Sequence, residues 1–295
     1  MSKVWFITGA GSGIGAGVVR AALKAGHRVV ATGRNMEKLS GAFANVASDD
    51  LLLERLDVTS ETEAKRAADA AVARFGRIDV LVNNAGYSLL GNFEEFTTEQ
   101  IERQFQPNFW GVVHMMRTVL PIMRRQRSGH IINISSVAGV VGQGAVAAYG
   151  ASKFAVEGLS LAVAQEVERF GIKVTVVEPG FFRTGLLDPS SVEWSSEHIE
   201  DYGPPGNIAA AWSVYDGQQP NDPAALGEAL VQIADMEHPP KVFAAGGDAL
   251  DAITPMVEAR LAELREHADL SKAAGGPTSS AMSLVATTRG TVRRR

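Results

Sequence analysis

Short β-branched runs alternate with longer helical stretches along most of the chain, and this rhythm limits the possible fold more than any other feature. Val4 to Thr8, Arg28 to Thr32, Leu51 to Leu56, Val80 to Asn83, His130 to Ser135, Lys173 to Glu178 and Lys241 to Ala244 read as strands. Several are almost wholly apolar, as strands covered by helices on both faces are. The helical pattern fills Gly15 to Ala25, Ser60 to Arg74, Thr98 to Arg125, Ala148 to Phe170 and Pro223 to Met236. Strand, crossover helix and strand in series predict an α/β fold: a single doubly wound domain whose seven-stranded parallel sheet carries helices on both faces.

The 295 residues, 45% of them hydrophobic, can bury a sizeable core. We read residues 1–270 as one catalytic domain and 271–295, rich in Gly, Ala, Ser and Thr and ending in three arginines, as a flexible tail. Residues 181–221 break the rhythm with four prolines and with Trp194, Tyr202, Trp212 and Tyr215. A connection of that length predicts a substrate-binding loop or lid. A net charge of −5 gives no basic face for nucleic acid or an anionic membrane. No segment reaches the ~18 apolar residues of a membrane span, and no signal-like stretch opens the chain, so the expected location is cytoplasmic. Cysteine is absent and the six histidines are dispersed, which argues against a thiolate centre or a metal site. Asn133-Ile134-Ser135 matches a glycosylation sequon but lies inside a strand pattern, where chance is the better reading.

The chemistry concentrates where strands end. Thr8 to Gly15 follows the first strand and opens the first helix; Gly9, Gly13 and Gly15 allow a tight turn and close approach of backbone to a phosphate, with Ser12 and Ile14 between them. The second strand ends in Thr32-Gly33-Arg34, with no acid for an adenosine ribose and a guanidinium suited to a 2′-phosphate, which favours NADP(H) over NAD(H). The plain alternative is a solvated loop arginine. Asp57-Val58 closes the third strand, where a carboxylate can accept from adenine. Asn84-Ala85-Gly86 closes the fourth, at the edge where open α/β folds bind ligands. Asn108 sits after Pro107 inside a helix pattern, a local conflict that predicts a bend or a functional demand. Ser135 and Ser136 end the fifth strand, and Pro179-Gly180 turns the chain after the sixth. Tyr149 and Lys153 stand one helical turn apart. A fixed cation there would favour the phenolate and lower the phenol's pKa toward neutrality, although such a pair also arises in ordinary packing.

Together and in this order, these motifs resemble the short-chain dehydrogenase/reductase superfamily from about Lys3 to Thr184, and its 17β-hydroxysteroid-dehydrogenase-like branch around Glu178 to Thr184. The resemblance implies a Rossmann-like domain, a tetrad of Asn108, Ser136, Tyr149 and Lys153, and cofactor contacts that include Tyr149, Lys153, Pro179, Gly180 and Thr184. It implies hydride transfer between a nicotinamide and a carbonyl or secondary alcohol on a medium-sized, largely apolar substrate, with Tyr149 as proton donor and acceptor. Tyr87, Phe93, Gln143, Phe181, Phe182 and Trp194 are candidate walls of the substrate site. Glu157 and Glu166 read as solvated or interface positions. A homodimer or homotetramer is expected through the helices that carry Asn108 and Tyr149. Two other readings remain open: an NADP-binding sensor or scaffold without turnover, and a biosynthetic ketoreductase or epimerase.

Overall fold

The computed structural model describes residues 2–46, 48–185 and 191–275. In chain order the elements are β1 (Val4–Ile7), α1 (Gly13–Lys24), β2 (Arg28–Gly33), α2 (Met36–Ala42), β3 (Leu51–Arg55), α3 (Glu61–Phe75), β4 (Val80–Asn83), β5 (Ser88–Leu90), α4 (Thr98–Phe105), α5 (Gly111–Gln126), β6 (Gly129–Ile134), α6 (Ala147–Val167), β7 (Ile172–Pro179), β8 (Val192–Trp194), α7 (Asn207–Ser213), α8 (Pro223–Asp235), β9 (Val242–Ala245), α9 (Gly247–Glu266) and α10 (Ala268–Ala273). Seven strands form one parallel sheet in the order β3-β2-β1-β4-β6-β7-β9. The order reverses direction at β1, and the carboxyl ends of β1 and β4 flank the crevice that such a reversal opens.

Period-two alternation divides the strand side chains between two cores. Val4 and Phe6 of β1 point to one face with Leu81 and Ile131, against α3, α5 and α6. Trp5 and Ile7 point to the other with Val29, Val82 and Ile132, against α1 and α8. On α3 the buried side chains are four alanines and Phe75, so this helix presents a nearly flat face to the sheet. Gly17 and Gly227 let α1 and α8 touch backbone to backbone: a Cβ on Gly227 would lie 2.6 Å from the Gly17 carbonyl oxygen.

The sheet agrees with the strand pattern, and the differences lie elsewhere. The helix expected over Thr98 to Arg125 is two helices joined by a π-helical turn, Gln106–Trp110. Pro107 has no N–H to give the helical ladder, and the turn widens around it. Two short strands, β5 and β8, form a separate parallel ribbon that pins the start of the 181–221 insertion beside the sheet's edge. Both are three residues long, below what periodicity can reveal. Helices α2 and α7, seven residues each, were equally hidden. Asn133 donates to Ser160 Oγ at 2.7 Å and accepts from Asn83 at 2.8 Å with no exposed surface, so the sequon is closed to a glycan. Met1–Ile253 form one compact unit, and a second begins at Thr254. Of the expected tail, Ser271 to Ala273 belong to α10, and residues 276–295 lie outside the described residues.

Candidate active site

The loop after β1 is built around missing side chains. Gly9 has φ +63°, and a Cβ there would sit 2.8 Å from Ala85 Cα; one on Gly15 would sit 2.5 Å from the Gly9 carbonyl oxygen. Asn84 Nδ2 donates to the carbonyls of Thr8 and Gly9, both at 3.0 Å, while Thr8 Oγ1 accepts from the backbone N–H groups of Asn84 and Ala85 at 2.9 and 3.0 Å. These bonds fix the ends of β1 and β4 together. Ser12 precedes α1, yet its side chain makes no cap bond, which leaves an exposed hydroxyl at the helix's positive end. A backbone cradle with a free helix terminus suits a phosphate.

Arg34 is exposed at the end of β2, and Lys38 of α2, which sequence reading overlooked, lies against Gly11. At the end of β3, burial raises the Asp57 carboxyl, but the hydrogen bonds from Thr59 and the charges of Arg34 and Arg55 outweigh it and hold the group below the usual carboxylate range. Arg34 and Asp57 therefore act on one another at the same rim. Val58 is buried against Gly111, and its carbonyl contacts His114 Nδ1 at 3.0 Å.

From this loop a cleft of about 460 Å³ runs along the carboxyl edge of the sheet. Gly9, Ser12, Gly13 and Ile14 line it with Asn84, Ala85 and Gly86, and so do Pro179, Gly180 and Thr184, the last packed beside Gly13. Ser136, Tyr149 and Lys153 line the same cleft. Ser136 follows β6, its Oγ accepts from Ala138 N at 3.1 Å, and it lines the cleft beside Tyr149. Asn108 does not line the cleft. From the π turn, its side chain holds the Tyr87 backbone, accepting from N at 3.1 Å and donating to O at 3.0 Å, and donates to Ser152 Oγ at 3.3 Å. It supports Tyr87 and α6 from behind.

Two expectations about charge are corrected. The phenol of Tyr149 is held above its ordinary value, not below it, because burial outweighs the Ser136 hydrogen bond. Lys153 lies under the ring, 5.6 Å from its centroid, with Nζ donating to the Ile134 carbonyl at 2.9 Å, and burial pushes its amine down to about 8. Glu157, one turn further along α6, is neither solvated nor at a surface. It is buried beside Ser135, Glu178 and Lys153, its Oε1 has no hydrogen-bond partner, and burial pushes its carboxyl up to about 7. The i+4 spacing from Lys153 was the available signal.

On the substrate side Tyr87, Gln143, Phe181 and Phe182 line the cleft as expected. Trp194 does not: it stands in β8, paired with Leu90 and packed into the small apolar cluster behind Tyr149. Phe93 lies 65% exposed outside the cleft. Trp212 takes the wall position instead, tilted against Phe181 and edge-on to Tyr215 at centroid distances of 6.0 and 6.3 Å, and Leu90, Val141 and Val146 complete an apolar surface. Residues so far apart in sequence carry no spacing that would have grouped them. Among the described residues, no three His, Asp or Glu side chains are arranged to hold a metal ion, and no helix is long and apolar enough to cross a membrane.

Comparison with known proteins identifies the family. Residues 3–193 match the family described as short chain dehydrogenase. The oxidoreductase BOA17 of Botryotinia fuckeliana is 36% identical over 252 residues, 85% of this chain and 91% of the relative. A 3-ketodihydrosphingosine reductase of Bacteroides thetaiotaomicron is 38% identical over 240 residues, 81% of this chain and 86% of the relative. The crystal structure of a short-chain dehydrogenase from Streptomyces avermitilis superposes with a TM-score of 0.83 at 38% identity, covering 92% of this chain and 98% of that one. More distant neighbours were solved with NAD, in a Burkholderia phymatum protein at 25% identity and TM-score 0.73, and with NADP, in ElxO at 29% and 0.71; they cover 92% and 85% of this chain and 95% and 100% of their own. The glycine cradle, the reversal of strand order beside it and the match over most of the chain converge on one assignment: this protein belongs to the short-chain dehydrogenase/reductase family of oxidoreductases.

Proposed function

We propose that the protein is an NADP-preferring reductase and dehydrogenase acting on the carbonyl or secondary alcohol of a medium-sized, largely apolar molecule. The observation that carries this reading is that Ser136, Tyr149 and Lys153 line the same cleft as the glycine cradle, with the Lys153 amine 5.6 Å from the Tyr149 ring centroid. The cradle fits a dinucleotide, because the volume a Cβ would fill at Gly9 and Gly15 is taken by backbone and Asn84. Gly9 to Gly15 would hold its phosphates, Lys153 its nicotinamide ribose, and Arg34 with Lys38 a 2′-phosphate. When bound, the nicotinamide supplies or accepts the hydride.

The chain's own part is to orient and protonate. Ser136 and Tyr149 hydrogen-bond the substrate oxygen and polarise its carbonyl. Tyr149, kept protonated by its buried setting, gives its proton to the oxygen as negative charge develops there, and takes one back in the oxidative direction. Lys153 steadies the phenolate that results. Asn108 keeps Tyr87 and α6 in register beneath them. Leu90, Val141, Val146 and Trp212 exclude water and favour an apolar substrate body.

Oxidation of NADPH with a panel of ketones, aldehydes and steroids tests the reaction; no turnover across the panel would reject it. The cofactor preference has its own test. Arg34→Ala is expected to weaken NADPH binding by roughly 10- to 100-fold, the worth of a charge-assisted phosphate contact, and NADH binding hardly at all. Equal losses would remove the 2′-phosphate role. The helices carrying Asn108 and Tyr149 also present Trp110, Phe154 and Leu161 at 46%, 44% and 40% exposure, and we propose that they pair copies of the chain. Size-exclusion chromatography with light scattering is expected to give a dimer or tetramer, and a monomeric mass would refute the pairing.

A further inference from the structure

The 181–221 insertion leaves the sheet after β7 and rejoins the fold before α8, and its two ends meet at one carboxylate that no motif singled out. Asp248, in the first turn of α9, accepts from the Phe181 backbone N–H through Oδ2 and from Asn221 Nδ2 through Oδ1, each at 2.7 Å. Phe181 begins the insertion and Asn221 ends it. The ends also bind each other: Asn221 donates to the Phe181 carbonyl from Nδ2 at 2.9 Å and from its backbone N at 3.2 Å, and Arg183 N donates to the Asn221 carbonyl at 2.9 Å. Arg183 then reaches the carbonyls of Gln219 and Pro220 at 2.9 and 3.1 Å.

The backbone is shaped to admit the carboxylate. A Cβ on Gly180 would overlap the Asp248 carboxyl, and one on Gly246, at φ +102°, would lie 2.6 Å from Asp248 Oδ1 and 2.7 Å from Asn221 Nδ2. Thus both glycines that follow the neighbouring strands β7 and β9 leave room for one side chain. Asp248 also lines the cleft, next to Phe181, and Phe181 in turn packs at a tilt against Trp212.

We infer that Asp248 is a positioning residue for substrate selection: its carboxylate ties the two ends of the insertion and thereby sets where Phe181 and Trp212 stand against a bound substrate. Among the described residues its hydrogen bonds reach neither Ser136 and Tyr149 nor the glycine cradle, so its effect falls on recognition of the substrate's apolar body and not on proton transfer. A charged acceptor is needed because both partners are donors. An amide can accept from Phe181 only by turning its own N–H groups toward Asn221 Nδ2, which places donor against donor.

The inference rests on the reading that this cleft holds the substrate, and Asp248→Asn separates the two. In the variant, KM for a bulky apolar ketone is expected to rise about tenfold, the equivalent of one lost charge-assisted hydrogen bond. Its kcat, its NADPH affinity and its KM for a two- or three-carbon aldehyde should stay within about twofold, the split that distinguishes binding from chemistry. Unchanged KM for the bulky ketone, or losses shared equally by kcat, cofactor affinity and the small substrate, would overturn the role. Limited trypsin digestion provides a readout that does not depend on turnover, since Arg183 is the only lysine or arginine between 181 and 221. Cleavage after Arg183 should be faster in Asp248→Asn than in the wild-type chain; equal rates would reject the clamp, even if the wild-type protein reduced none of the ketones.

Discussion

Tyr149→Phe is expected to lower turnover by roughly 10²- to 10⁴-fold, the range over which a positioned acid or base acts, while NADPH affinity changes by no more than about threefold. The argument is geometric. Phenylalanine keeps the ring that packs with Leu90, Ala138 and Val146 and removes only the phenol oxygen. Lys153 keeps its bond to the Ile134 carbonyl and its place beneath the ring. The variant should therefore fold and bind cofactor but leave the developing alkoxide without its proton. A pH profile adds a signature. Burial holds the phenol protonated through the neutral range, and Lys153 loses its charge above about 8. Because the cation steadies the phenolate formed in reduction, kcat/KM of the wild-type protein should be level below pH 8 and decline above it. In Tyr149→Phe no phenolate forms, so the residual rate should lose that decline. Unchanged turnover in the variant would remove Tyr149 from the mechanism; an identical alkaline decline in both proteins would remove Lys153 as the titrating group.

The sheet was legible because its signal is physical and local. Val4 to Ile7 and Val80 to Asn83 are buried on both faces, so their apolar runs and the glycines or asparagines that end them state both the strand and its edge. The site's centre was legible for the same reason: Ser136, Tyr149 and Lys153 sit at strand ends or one helical turn apart, positions that spacing can predict. What the sequence concealed depends on contacts between distant segments. Trp194 and Trp212 belong to one insertion, yet the three-residue pairing of β5 with β8 turns the first into a packed support and leaves the second facing the cleft. Nothing in either residue's neighbourhood distinguishes them. The sign of the Tyr149 shift was hidden too, since it is set by how much surrounding protein replaces water, a quantity that a pair of residues four apart does not contain. Glu157 shows the same limit. Its spacing from Lys153 was visible, but burial is what makes the pair matter, and on α6 burial extends to one more turn than a surface helix would show.

Gly15→Ala is expected to weaken binding of either nicotinamide dinucleotide by roughly 10- to 100-fold, the equivalent of the ~1–3 kcal/mol that overpacking against fixed atoms costs. One methyl suffices because of where it would go. It would lie 2.5 Å from the Gly9 carbonyl oxygen, 2.6 Å from Asn84 Nδ2 and 3.0 Å from Ala10 Cα. None of these can retreat freely: Asn84 is held by its bonds to Thr8 and Gly9, and the Gly9 backbone is in turn pressed against Ala85. The loop must open, and opening separates the ends of β1 and β4 whose proximity makes the cradle. Since Gly15 lies inside α1, where alanine is the better helix former, the helix itself gains from the change. Far-UV circular dichroism should accordingly stay the same while isothermal titration shows the loss for NADPH and NADH alike. That equality separates this variant from Arg34→Ala, whose effect is confined to the 2′-phosphate. Tight binding of NADPH by Gly15→Ala would mean that the cradle tolerates a side chain and that the glycine serves only the packing of α1.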